Sequence, residues 1–164
     1  EEKAQTKKVC FPKGTWYELW SGNEVLGSCE REVPVSLKDC PAYLKSGIVL
    51  PVIMNEKMKW AVPFSEQNQT KVIVITPPNM DDEYRYYAEE DDKYVFKCVK
   101  EDERVFTIYS LKDIFINKLL IYGNVHEIEV DGKKEEFSIV YENQTMTALR
   151  LKSDRWNKLT ITCK

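Results

Sequence analysis

Apolar residues in this chain either alternate with polar ones or gather in short bursts, and no segment holds a helical period over the ~11 residues a helix needs. Residues 29–35, 93–99, 104–109 and 125–130 alternate, whereas Lys71-Val72-Ile73-Val74-Ile75-Thr76 is a continuous β-branched run closed by Pro77-Pro78. The pattern predicts strands at about 8–11, 15–20, 29–35, 42–45, 48–54, 71–76, 93–99, 104–109, 117–122, 125–130, 133–140, 145–151 and 157–163. Lys100-Glu101-Asp102-Glu103 has hairpin-loop length, and Asp131-Gly132 is a two-residue hairpin signal because both residues tolerate positive φ. Residues 110–115 read as a single helical turn, residues 79–92 as a loop, and residues 1–7 as a polar, frayed end. Short strands with regular turn signals predict an all-β chain built as a sandwich.

One stretch is apolar on both faces. Read as a strand, residues 15–20 point Trp16 and Trp20 one way and Tyr17 and Leu19 the other, with only Glu18 breaking the set. Such a strand is usually covered on both sides. Pro12-Lys13-Gly14 before it and Ser21-Gly22-Asn23 after it are turn chemistry. A later segment holds Lys45-Ser46-Gly47 and then the apolar run from Ile48 to Met54. Asn55-Glu56-Lys57-Met58-Lys59 breaks the pattern, which places a domain boundary or sharp corner near residues 55–66.

The order of the rarer residues here is informative. Phe11-Pro12-Lys13-Gly14-Thr15-Trp16-Tyr17-Glu18-Leu19-Trp20-Ser21-Gly22, then Val33-Pro34-Val35-Ser36-Leu37, Cys40-Pro41-Ala42-Tyr43-Leu44 and Gly47-Ile48-Val49-Leu50-Pro51 follow in sequence. Together, over roughly residues 8–54, they resemble the segment just after the catalytic barrel in glycoside hydrolase family 31, the α-glucosidase family. The chain departs from that pattern at Cys40 to Lys45, where the family often has Ile-Pro-Val-Phe-Val-Arg. Phe115 to Gly123, Ile128 to Lys133 and Trp156 to Ile161 are similar to the last strands of the family's distal C-terminal domain.

The resemblance implies two small antiparallel β-sandwich domains: residues 1–60 a proximal, incomplete one and residues 61–164 a distal, complete one. It implies a non-catalytic structural region that packs on and stabilises a (β/α)8 barrel, carried by another chain or removed. Trp16, Tyr17 and Trp20 are then the barrel-packing residues. The parent activity would be hydrolysis of terminal α-linked glucose without a cofactor, and no activity is expected from this chain alone. The partner is a catalytic chain of the same enzyme. The alternative is a free-standing module whose partner is carbohydrate.

Composition narrows the rest. A net charge of −3 argues against a nucleic-acid partner, which needs a basic surface. No apolar run approaches the ~18 residues of a spanning helix, so no membrane partner is expected. The chain opens on Glu1-Glu2-Lys3, so any targeting segment is expected to have been removed or left out. Asn68-Gln69-Thr70 and Asn143-Gln144-Thr145 fit the N-glycosylation rule. Five cysteines exceed cytosolic usage for this size. Both signals point to the secretory pathway: endoplasmic reticulum lumen, lysosome or exterior. Cys29 and Cys40 are the expected disulfide pair.

Candidate chemistry is sparse. No C-x-x-C occurs, and His126 has no Cys or second His nearby, so no zinc site is predicted, and no metal-ligating residue is assigned. Asp81, Asp82, Glu83, Glu89, Glu90, Asp91 and Asp92 against Arg85 read as a solvated acidic loop, with a Ca²⁺ site as the alternative. Tyr84, Tyr86 and Tyr87 within it are surface candidates for ligand contact. Asn79-Met80-Asp81-Asp82-Glu83 has the letters of a family 31 nucleophile strand in the wrong order. No catalytic residue is assigned, because no nucleophile, base and orienter come together.

Overall fold

A computed structural model of the chain describes residues 5–35, 40–60, 69–79, 82–88 and 92–164, and among them every regular element is a strand. The centre of the molecule is a five-stranded sheet. It contains β6 (Val49–Asn55), β7 (Gln69–Ile75), β11 (Lys118–Ile121), β14 (Phe137–Glu142) and β15 (Thr147–Leu151), in the order β14-β15-β11-β7-β6. Its pairs are antiparallel except β7 with β11, which run parallel with Leu119 opposite Ile73.

This sheet is covered on both faces, which is why β7 reads as an unbroken apolar run. Ile73 and Ile75 point to one side and Val72 and Val74 to the other, and all four are fully buried. The first side packs on a six-stranded sheet of β8 (Asp82–Ala88), β9 (Asp92–Lys100), β10 (Val105–Ile114), β12 (Val125–Val130), β13 (Lys133–Lys134) and β16 (Trp156–Cys163). Between these two sheets Ile73, Leu119 and Leu149 meet Phe96, Ile108 and Trp156, the sandwich core. Trp156 is completely buried and donates its indole N–H to the Ile116 carbonyl at 2.9 Å.

The second side of the central sheet carries its own core, in which Val72, Val74, Leu120, Tyr122 and Ala148 pack with Tyr17, Met54, Met58 and Met146. Over it lies a three-stranded sheet of β2 (Thr15–Glu18), β3 (Glu24–Leu26) and β5 (Tyr43–Lys45). A two-stranded ribbon of β1 (Gln5–Phe11) and β4 (Cys29–Val35) completes the stack. One face of the ribbon carries Val9, Phe11 and Val33 and the other Lys8, Glu30 and Glu32.

The expected all-β sandwich is present, with several differences in detail. The strand expected over residues 15–20 stops at Glu18, because the Glu18 carboxylate accepts the Trp20 and Ser21 backbone N–H groups at 3.1 and 2.6 Å and closes a turn. Residues 110–114 of the expected helical turn extend β10 rather than coil, with a register shift between Tyr109 and Ile114. The stretch read as an acidic loop contains β8, paired with β9 from Asp82–Cys98 to Ala88–Asp92, since its tyrosines favour extended backbone. The run over residues 133–140 divides into β13 and β14, which join different sheets. The chain is already extended at Gln5, so residues 5–7 are not frayed. The boundary drawn between residues 60 and 61 falls between β6 and β7, which pair along seven residues. Asp131-Gly132 forms the predicted turn, with φ of 51° and 80°.

Candidate functional site

The two faces of β2 set the surroundings of the aromatic motif. Tyr17 points to the central sheet, where its ring lies 5.9 Å from Tyr122 at 65° and is 8% exposed. Trp16 points the opposite way, half-buried, with Phe11 of the ribbon 6.3 Å away and its indole N–H donated to the Pro12 carbonyl at 2.9 Å. Phe11 in turn stands edge-on to Tyr43 at 4.7 Å. Both roofs over β2 are thus supplied by this chain, one by the central sheet and one by its own ribbon.

Trp20 is different. The turn at Glu18 swings it out of the strand, and it remains 40% exposed. Its indole N–H donates to the Cys40 carbonyl at 2.8 Å and its ring meets Trp60 edge-on at 6.5 Å. Trp60 donates its own N–H to the Tyr122 hydroxyl at 3.1 Å, and that hydroxyl donates to the Leu19 carbonyl at 2.7 Å. Burial pushes the Tyr17 and Tyr122 phenols above their ordinary value, so both stay neutral. Of the three aromatics assigned to barrel packing, Tyr17 is therefore sealed inside and Trp20 is the one with a presented face. Trp60 was missed because it follows a polar break that carries no periodicity.

The remaining sequence candidates are scattered. Asn143 caps the turn between β14 and β15. Its carbonyl oxygen accepts from the Thr145 and Met146 N–H groups at 2.9 and 2.7 Å, and its amide donates to the Tyr141 hydroxyl at 2.6 Å. Asn68 lies outside the described residues, as do Asp81, Glu89, Glu90, Asp91 and the side chains of Asp82, Glu83, Asp92, Tyr84, Tyr86 and Tyr87. Asn79 donates to the Thr15 hydroxyl. His126 is exposed on β12. Among the described residues no three His, Cys, Asp or Glu side chains gather where a metal ion would bind.

The expected Cys29–Cys40 disulfide is not formed. The strand beside Cys29 is β1, where Phe11 faces it, and the Cys29 thiol donates to the Leu26 carbonyl at 3.0 Å. Cys40 belongs to the Trp20 turn instead. Cys163, at the end of β16, lies close to Gly123, where a methyl group would approach its sulfur to 3.1 Å. Burial pushes this thiol up to about 11.

Residues 1–50 match the model of the glycosyl hydrolase family 31 C-terminal domain. Among solved structures, the cycloalternan-forming enzyme from Listeria monocytogenes aligns with a TM-score of 0.74 at 12% identity, covering 99% of this chain and 17% of that one. A GH31 dextranase from Flavobacterium johnsoniae aligns with a TM-score of 0.65 at 16% identity, covering 99% of this chain and 25% of that one. At such identities the likeness is one of fold. No curated protein sequence matches the chain. The resemblance seen over residues 8–54 is borne out by the family match, and the chain spans a quarter or less of the length of these two structures.

Proposed function

We propose that this chain is the non-catalytic C-terminal structural region of a family-31-like α-glucosidase, packing on and stabilising a (β/α)8 barrel. The observation that carries the reading is the match of residues 1–50 to the family's C-terminal domain model, since those residues build the small sheet and the ribbon. The fold likeness over the remaining strands agrees with it. The substrate of the parent enzyme would be terminal α-linked glucose, and the chemistry would belong to the barrel.

Exposed Trp20, braced by Trp60, favours a carbohydrate-binding module as the second reading, because an aromatic face suits a pyranose ring. Maltose titration separates the two: quenching of tryptophan emission supports the module, and a flat response supports the structural role. A secretory-pathway location is supported by the Asn68 and Asn143 triplets and by the number of cysteines.

Native mass spectrometry of the chain from its own source tests the main reading. A complex with a larger catalytic chain is the expected result. A lone monomer would sink the docking role, and turnover of a chromogenic α-glucoside by this chain alone would overturn the non-catalytic one.

A further inference from the structure

We propose that the cleft at one end of the small sheet is a binding site for a compact oxyanion. Three strand ends converge there: the start of β2 at Thr15, the end of β3 at Leu26 and the end of β5 at Lys45. Asn79, from the loop after β7, reaches across and donates its amide to the Thr15 hydroxyl, tying the cleft floor to the sandwich. The space is about 490 Å³, ample for a phosphate or a carboxylate with its hydration.

Its polar lining is one-sided. Lys13, Lys45, Thr15, Ser28, Ser46 and Asn79 face the opening, and no carboxylate of the described residues lines it. Neither lysine takes part in an ion pair among the described residues. In a chain of net charge −3 this is a local reversal of sign. Ammonium groups only donate, and hydroxyls donate when offered an acceptor, so the unmet requirement of the lining is for acceptor oxygen carrying negative charge.

The backbone holds these groups together. Gly27 donates to the Gly14 carbonyl at 2.7 Å and Ser28 to the Phe11 carbonyl at 2.8 Å, clamping the Pro12-Lys13-Gly14 turn against the β3–β4 turn. The approach at Gly27 is so close that a Cβ there would stand 1.9 Å from the Pro12 oxygen. Lys45 runs past the same turn, its Cε 3.9 Å from where a Cβ on Gly14 would lie. Lys13 and Lys45 thereby border one opening. This inference does not depend on a barrel partner.

The test is titration of the whole chain with sodium phosphate, sulfate and acetate, read by amide chemical shifts at ionic strength held constant with sodium chloride. Saturable shifts confined to Gly14, Gly27 and Ser46 are expected. They should weaken about tenfold or more in Kd in a Lys13→Gln/Lys45→Gln variant, as loss of charge-assisted bonds predicts. Both lysines are exposed, so amide shifts elsewhere in that variant should match the native chain. Saturation by phosphate and sulfate alone assigns a tetrahedral ligand, and saturation by acetate as well assigns a carboxylate. Shifts that grow linearly with every salt, or a double variant that titrates like the native chain, would overturn the proposal.

Discussion

Asn143 shows how much backbone one polar side chain holds in place. Its triplet fits the N-glycosylation rule in the sequence, and in the folded chain its carbonyl oxygen holds two backbone N–H groups of the β14–β15 turn. Thr145, the third residue of the triplet, is likewise engaged, donating to the Ser21 carbonyl. Replacing Asn143 by Ala should lower stability by about 1–2 kcal/mol, the cost of leaving those donors without their acceptor. Asn143→Asp keeps the acceptor and should lose less; equal losses in urea unfolding would discredit the turn-capping role. Cys163 supplies the pH-dependent counterpart. Its thiol is held up from 9.0 to about 11 by burial, so the folded chain keeps a proton that the unfolded chain releases. The stability this contributes is full below pH 9 and is lost as pH rises to about 11. Melting temperature should therefore fall across that window, with a later onset in Cys163→Ala. Identical profiles for the two chains would refute the assignment. Tyr17 and Tyr122, also raised by burial, add a fall of the same sign at higher pH.

Between elements, the small sheet is fastened to the central sheet through Tyr122. Its hydroxyl donates to Leu19 beyond the end of β2 and accepts from Trp60 beyond the end of β6. Tyr122→Phe keeps the ring in the shared core but leaves a carbonyl and an indole N–H without their partner, and should cost about 1–3 kcal/mol in chemical denaturation. A loss within error would mean that apolar packing alone joins the layers. The sequence disclosed strands better than it disclosed layers, for a physical reason. Residues 127–130 alternate because Ile128 and Val130 are buried while Glu127 and Glu129 are not, and Asp131-Gly132 announces its turn by backbone tolerance, so both were legible. The register shift between Val125 and Glu127, which buries Val125 as well, was not. Val72 to Ile75 announces two covers without saying which elements provide them. β8 was hidden because the acidic residues around its tyrosines outweighed their extended preference. Trp20 was placed on the Trp16 face by assuming that alternation continues past Glu18. What ends it is a side-chain-to-backbone bond followed by Gly22 at φ 74°, a position where a methyl group would meet Met146 at 2.7 Å.

At the scale of the whole molecule, the question is what Trp20 faces. Tyr17 is sealed by Tyr122 and the methionines, and Trp16 is half-covered by Phe11, so β2 itself does not need a companion to shelter it. Trp20 keeps 40% of its surface while its N–H is committed to Cys40 and its edge to Trp60. A large aromatic held rigid before binding loses little rotamer freedom on contact, which is the physical profile of an interface anchor. If this chain docks on a catalytic barrel, Trp20→Ala should weaken the complex by tenfold or more, the scale of a hot-spot truncation of about 2 kcal/mol, while changing the stability of the isolated chain little. Tyr17→Phe, altered on the sealed face, should leave affinity unchanged. Phe115, 73% exposed in the segment after β10, offers a rival contact, so Phe115→Ser belongs in the same binding series. Weakening by the Phe115 change with none from Trp20 would move the interface to the outer sandwich and away from the strand that carries the family motif.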